Sequence, residues 1–199
     1  MTKHKSQDER RNQILAAAKE CFIRNGYAHT RVDDIARESG LSKGGIYFHF
    51  KSKRDIFDAL LENQQQATAT LVREIEASDA PVVDKLTQLG TMMLRNFAEG
   101  EDHAKFLIVL AEMGIREADV YQKVVGAHEA YVETLARYIR AGIASGEIRD
   151  MDPRMAALFM KFLLDGLEQG LALGYNFDVL EFAATGFDVL FHGLKPGKS

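Results

Sequence analysis

Apolar residues recur every three to four positions along nearly the whole chain, and no stretch alternates long enough to suggest a strand. The first stripe is Ile14, Leu15, Ala18 and Phe22. Ser6 and Glu9 make an S-x-x-E capping box at its head, and Asn25-Gly26 ends it. Val32, Ile35 and Ala36 carry a second, short stripe, closed by Gly40 where a helix C′ glycine belongs. Thr30 is placed to cap its start, with Asp33 as a short capping-box partner. After Leu41, Ser42 opens a third helix through Phe50, with Ile46 and Phe50 as its apolar edge. Ser52, with Asp55 at the third position, then opens a long helix carrying Ile56, Leu60, Ala67, Leu71 and Ile75 to about Ser78.

The same period continues to the end of the chain. Pro81 suits the first turn of a helix to about Ala98, with Leu86, Leu89, Met92, Met93 and Phe97 on its apolar side. Glu101 to Arg116 carries Phe106, Leu107, Val109, Leu110 and Met113. From about Ala118 to Ala144, one stripe holds Val124, His128, Tyr131, Leu135 and Ile139, and Ser145-Gly146 stops it. Asp152-Pro153 supplies an N-cap and an N1 proline for a helix to about Leu173, and a last helix runs from Asp178 to about His192. The expectation is an all-α fold of nine helices. A three-helix DNA-binding module spans 1–54, and a helical effector-binding and dimerisation domain spans 55–199.

Two short helices joined by a tight corner, at residues 30–50, have the layout of a helix-turn-helix, whose second helix enters a DNA major groove. Its outer face shows Lys43, Gly44, Tyr47 and His49. Gly44 and Gly45 each cost about 1 kcal/mol relative to Ala inside a helix. Their presence suggests that a base edge or phosphate approaches the backbone closely. The competing reading is a glycine turn followed by a core segment from Ile46 to Phe50.

Charge supports the DNA reading. The chain as a whole carries −4, which alone argues against nucleic acid. Residues 1–54, however, hold twelve Lys or Arg against six Asp or Glu, a net of +6. Residues 55–199 hold thirteen against twenty-three, a net of −10. A basic end on an acidic body confines phosphate attraction to that end. Met1 to Lys5 adds a short basic arm.

From Gly26-Tyr-Ala-His-Thr30 through DIARESGLSKGGIYFHFKSKRDIFDAL, the chain resembles the TetR family of bacterial regulators over about its first sixty residues. The resemblance implies DNA contacts at Thr30, Lys43, Gly44, Tyr47, His49 and Lys53. Ser42, Gly45 and Lys51 join them as the cap, the backbone and the following cation of the same helix. The resemblance also implies a homodimer and a body that binds a small molecule.

Two further surfaces follow from the pattern. The last two helices set Phe159, Phe162, Leu163 and Leu167 beside Gly166, Gly170 and Gly174, and Phe182, Gly186, Phe187 and Leu190 opposite them. Small residues at i, i+4 beside large ones favour close helix approach, and a four-helix dimer interface is expected there. Lys161, Asp165 and Glu168 exclude a membrane reading of the same pattern. In the middle helices Met92, Met93, Phe97, Phe106 and Met113 are candidates to line an apolar effector cavity, with His128 and Tyr131 as polar handles. Each of these residues also has a plain core reading, and for a lone histidine on an apolar stripe such as His128 the core reading is the commoner one.

No catalytic constellation, metal site or cofactor motif is expected. HExxH, a P-loop and GxGxxG are missing, and Gly142-Ile-Ala-Ser145-Gly146 has the wrong spacing for a nucleophile elbow. Cys21, the single cysteine, falls on the interior side of the first helix. The charged N-terminus does not read as a signal peptide, so a cytoplasmic protein with no membrane partner is expected. The whole reads as a repressor released from a palindromic operator by a small apolar or amphipathic effector. The alternative is a protein-interaction module whose body docks a partner. An internal cavity would favour the former, an exposed apolar patch left after dimerisation the latter.

Overall fold

The computed structural model describes residues 6–98, 101–175 and 177–192, with side chains excepted at 92–98, 101–104, 168, 172, 179, 183, 187 and 190–192. The arm from Met1 to Lys5 lies outside the described residues. Among those described there are nine helices and no strand: α1 (Gln7–His29), α2 (Val32–Ser39), α3 (Lys43–His49), α4 (Lys53–Glu76), α5 (Val82–Ala98), α6 (Glu101–Arg116), α7 (Ala118–Ser145), α8 (Pro153–Ala172) and α9 (Val179–His192). No helix of the described residues is long and apolar enough to cross a membrane.

Local chemistry sets most helix ends. Ser6 Oγ accepts from Glu9 N at 3.1 Å, and Glu9 Oε2 accepts from Ser6 N at 2.6 Å, completing the expected capping box. Ser42 Oγ accepts from Gly45 N at 3.1 Å, and Ser52 Oγ from Asp55 N at 3.1 Å. Asp152 and Asp178 cap α8 and α9 through their carboxylates. Gly40 takes φ 67° and lets Leu41 N reach back to Ala36 O at 3.0 Å, ending α2.

One cap differs from expectation. Gly26 has φ 74° inside α1, and the chain winds one more turn beyond it to His29. Thr30 therefore closes α1 instead of opening α2. Its Oγ1 donates to Cys21 O at 3.1 Å and Gly26 O at 2.8 Å, and only 1% of the residue is exposed. Arg31 takes the N-cap position of α2, where Asp34, and not Asp33, accepts from Arg31 N at 2.9 Å. A second correction concerns Gly174. It takes φ 85° just after α8 ends, with Tyr175 N bonded to Gly170 O at 3.1 Å, so it is a helix terminator and not part of a mid-helix glycine row.

The chain forms two compact units. The first comprises residues 1–69 and 105–121, so most of α6 and the first turn of α7 pack with α1–α3 and the greater part of α4. Its centre is aromatic: Phe57 lies 6.0 Å from Phe22, 5.1 Å from Tyr27 and 6.2 Å from Phe106, ring to ring. Cys21 is fully buried there, and burial pushes its thiol pKa up, away from reactivity. Arg54, opening α4, pairs with Asp58 at 2.9 Å and with Asp119 at the start of α7.

The second unit comprises residues 70–104 and 122–199. Here α5 packs on α8 and α9. Ile75, Leu86, Leu89, Leu135, Ile139 and Ala157 form its centre with Tyr131 and Tyr138. The Gly142–Gly146 stretch ends a helix: Gly146 has φ 80°, and Ile148 N bonds Gly142 O at 3.0 Å. A Cβ on Gly142 would stand 2.7 Å from Ile148 Cδ1, so the Ile148 side chain would have to shift to admit one.

Candidate nucleic-acid interface

Helix α3 is short, and its orientation follows from two buried residues. Ile46 is fully buried and Phe50 is 4% exposed, which turns the opposite side outward. Lys43, Gly44, Tyr47 and Phe48 are exposed there, and His49 is half-buried beside them. The glycines fit loosely from within. A Cβ at Gly44 would meet only Ser42 Oγ at 3.9 Å, and one at Gly45 would meet the same atom at 3.4 Å. No neighbour inside the unit requires glycine at 44, so any such requirement comes from outside.

Lys43 Nζ bonds Asp33 Oδ2 at 2.9 Å, linking α3 to α2, and the carboxylate holds the lysine pKa above its usual value. Both groups are more than half exposed, so this pair is easily exchanged for a phosphate. His49 and Lys51 line an open groove of about 460 Å³ with Arg11, Phe50, Asp55, Asp58, Ala59 and Glu62. The Arg11 guanidinium lies 4.4 Å from the centre of the Phe50 ring. Arg11 escaped the sequence reading because nothing in its own helix marks it. Phe48 escaped because an aromatic within Ile46–Phe50 reads as core.

Lys53 is engaged differently. Its ammonium donates to the carbonyls of Tyr27 at 2.6 Å, Thr30 at 2.8 Å and Ala28 at 3.3 Å, and sits 4.3 Å from the Tyr27 ring centre. It thus binds the carbonyl end of α1 from the first residue of α4, where a cation is favoured. Burial lowers its pKa, while the carbonyl oxygens act in the opposite sense by favouring the charged form.

The residues expected to bind an effector are divided between the two compact units. Phe106 and Met113 are core residues of the first unit, 2% and 5% exposed. Tyr131 is core in the second, whereas His128 is half exposed rather than a core histidine. The side chains of Met92, Met93 and Phe97 lie outside the described residues. Beside His128, Lys161 is buried and paired with Asp165, whose Oδ2 lies 3.9 Å from His128 Nδ1. The Lys161 ammonium is 5.8 Å from the Tyr131 ring centre. Burial, then the Lys161 charge, pull the His128 pKa down against the pull of Asp165.

The expected dimer surface is apolar and left exposed by the described residues. Phe159, Phe162, Leu163 and Phe182 are 48–65% exposed. A Cβ at Gly166, Gly170 or Gly186 would meet nothing within 4 Å. The side chains of Phe187 and Leu190 lie outside the described residues.

A helix-turn-helix with a basic outer face on an otherwise helical chain defines a DNA-binding regulator. Residues 14–60 match the family described as bacterial regulatory proteins, tetR family, and residues 79–167 match the tetracyclin repressor-like C-terminal domain. The chain is 31% identical to the HTH-type transcriptional regulator TtgR of Pseudomonas putida, over 95% of this chain and 94% of that one. It is 29% identical to the fatty acid metabolism regulator protein of Bacillus subtilis, over 72% and 74%. The structure of the regulator FadR from Bacillus subtilis in complex with stearoyl-CoA shares the fold, with TM-score 0.75, 24% identity, and 92% and 99% of the two chains covered. The chain belongs to the TetR family. It is a DNA-binding transcriptional regulator and not an enzyme.

Proposed function

We propose that the chain acts as a homodimeric repressor whose two α3 helices enter successive major grooves of a palindromic operator. The observation that carries this is the outward face of α3, set by the burial of Ile46 and Phe50. Lys43 and the backbone at Gly44 and Gly45 meet bases or phosphates. Tyr47, His49, Lys51 and Arg11 fix register on the backbone, as phosphate contacts do. Ser42 and Thr30 hold the local geometry, and Lys53 clamps α1 to α4. Functionally, residues 1–54 are the DNA-binding part and 55–199 the effector and dimerisation part. The open glycines and exposed phenylalanines of α8 and α9 support self-association there.

Release follows from an apolar or amphipathic effector bound by the body. The Bacillus subtilis relative is by name a regulator of fatty acid metabolism, which makes an acyl chain on a polar head the first probe. The His128, Tyr131, Lys161 and Asp165 group supports a polar handle for such a molecule. An effector displaces DNA only if its affinity differs between the two conformations. The test is native mass spectrometry of the purified protein, followed by titration of the molecule found, or of a long-chain acyl-CoA, into a preformed protein–operator complex. Release by the acyl form and not by free CoA is expected. If no apolar or amphipathic molecule in a broad panel shifts the complex, the effector reading fails.

A further inference from the structure

Helix α3 presents one residue whose exposure has no folding purpose. Phe48 is 72% exposed, while Phe22, Phe57 and Phe106 fill the centre of the same unit. At 3.6 residues per turn it lies roughly 200° around the helix from Ile46, the residue that anchors α3 to the core. Phe48 is therefore the centre line of the outward face, with Tyr47 to one side. One turn earlier on the same line is Gly44, where a Cβ would find only Ser42 Oγ, at 3.9 Å. The ring thus has clear space on its N-terminal side. It is also held, since the His49 ring packs edge-on against it at 5.1 Å.

A phenyl ring carries no hydrogen-bond donor or acceptor for the polar edges of bases. In the major groove only thymine offers an apolar feature, its C5-methyl group. Wedging of apolar side chains between base steps is the habit of minor-groove proteins, whereas the second helix of a helix-turn-helix lies in the major groove. Lys43 at the start of α3 and Lys51 just past its end are exposed cations available to phosphates beside that line.

We propose that Phe48 is the thymine-reading residue of α3, its ring resting on the C5-methyl of one thymine in each half-site. This rests on the reading that α3 enters the major groove, and the experiment separates the two. An operator is selected from a random duplex pool with the full-length protein. Each thymine of the half-site is then replaced by deoxyuridine, which removes the methyl and keeps the pairing, and affinity is measured by fluorescence anisotropy.

The expected result is one position per half-site at which uracil weakens binding about fourfold, and about fifteenfold when both half-sites are changed. In Phe48→Ala that difference collapses toward onefold, whereas Phe48→Leu, still apolar, keeps most of it. The position is exposed, so circular dichroism and melting of both variants should match the parent. If Phe48→Ala keeps the full thymine–uracil difference, another residue reads the methyl and the proposal is overturned. If the protein selects an operator in which no thymine is sensitive, the proposal falls while the groove reading stands. If it selects no duplex sequence at all, both fall.

Discussion

The two compact units set their exposed aromatic residues in different surroundings. In the first, besides Ile108, Ile115 and Tyr121 exposed on α6 and α7, one face of a seven-residue helix carries Tyr47 and Phe48, flanked by cations and capped by Ser42. In the second, α8 and α9 expose Phe159, Phe162, Leu163, Leu180 and Phe182 over two helices, with open glycines between them. A small aromatic centre ringed by polar groups suits a hydrated, charged partner such as DNA, whose interfaces are polar and wet. A broad apolar face with small residues suits another protein surface packed without water, and in a family of this kind a second copy is the natural occupant. The contrast teaches that exposed apolar area alone says little, and that its surroundings identify what covers it.

The largest expected effect would break the body's side of this contrast. Gly170→Leu puts a branched side chain where the partner helix is to approach, and sedimentation should show a monomer. Operator affinity should fall by about a hundredfold or more, since one head alone retains half the contacts and loses the linkage between them. A variant that remains a dimer would move the interface off this face.

A smaller effect sharpens the head's side. Lys53→Met keeps an unbranched apolar stem but removes the cation from the carbonyls of Tyr27, Ala28 and Thr30. Unfolding in urea should show a loss of about 2 kcal/mol, the usual worth of hydrogen bonds to a charged group. The slope of log affinity against log salt should stay unchanged, because a clamp releases no counterions from DNA. A slope reduced by about one would return Lys53 to the phosphate backbone.

The smallest concerns the polar group of the body. The folded His128 has a depressed pKa, so the unfolded chain takes up its proton first. Its contribution is complete above about pH 6.5 and is lost as pH falls below that value toward the folded pKa. Half the side chain is exposed and solvent screens the effect, so only a small amount of stability is at stake. Melting curves of the parent and His128→Gln, compared between pH 7.5 and 5.5, should diverge by that amount, with the parent losing more.

Helix ends and helix number were legible because they depend on partners within a few residues. Ser6 with Glu9, Ser42 with Gly45 and Ser52 with Asp55 are all separated by three positions. The register of Thr30 was not legible, since it depends on the positive φ of Gly26 carrying α1 one turn further. Lys53 was equally hidden: its carbonyl partners lie 23 to 26 residues away, and a lysine beside a basic helix reads as a phosphate contact. For Phe106, Met113 and Tyr131, helical spacing identified buried positions but not the neighbours they pack with. Phe106 belongs with Phe57, in the unit that carries α3.

That membership of residues 105–121 bears on how such regulators can be recombined. A hybrid built by joining residues 1–54 to a foreign sensor would leave behind Phe57, Phe106 and Asp119, the partner of Arg54. The transplanted piece would arrive with Phe22 and Tyr27 lacking their aromatic neighbour. Modularity here is interleaved along the chain: the smallest portable head includes a segment encoded some fifty residues downstream of its apparent end, and a donor sensor must supply an equivalent of it.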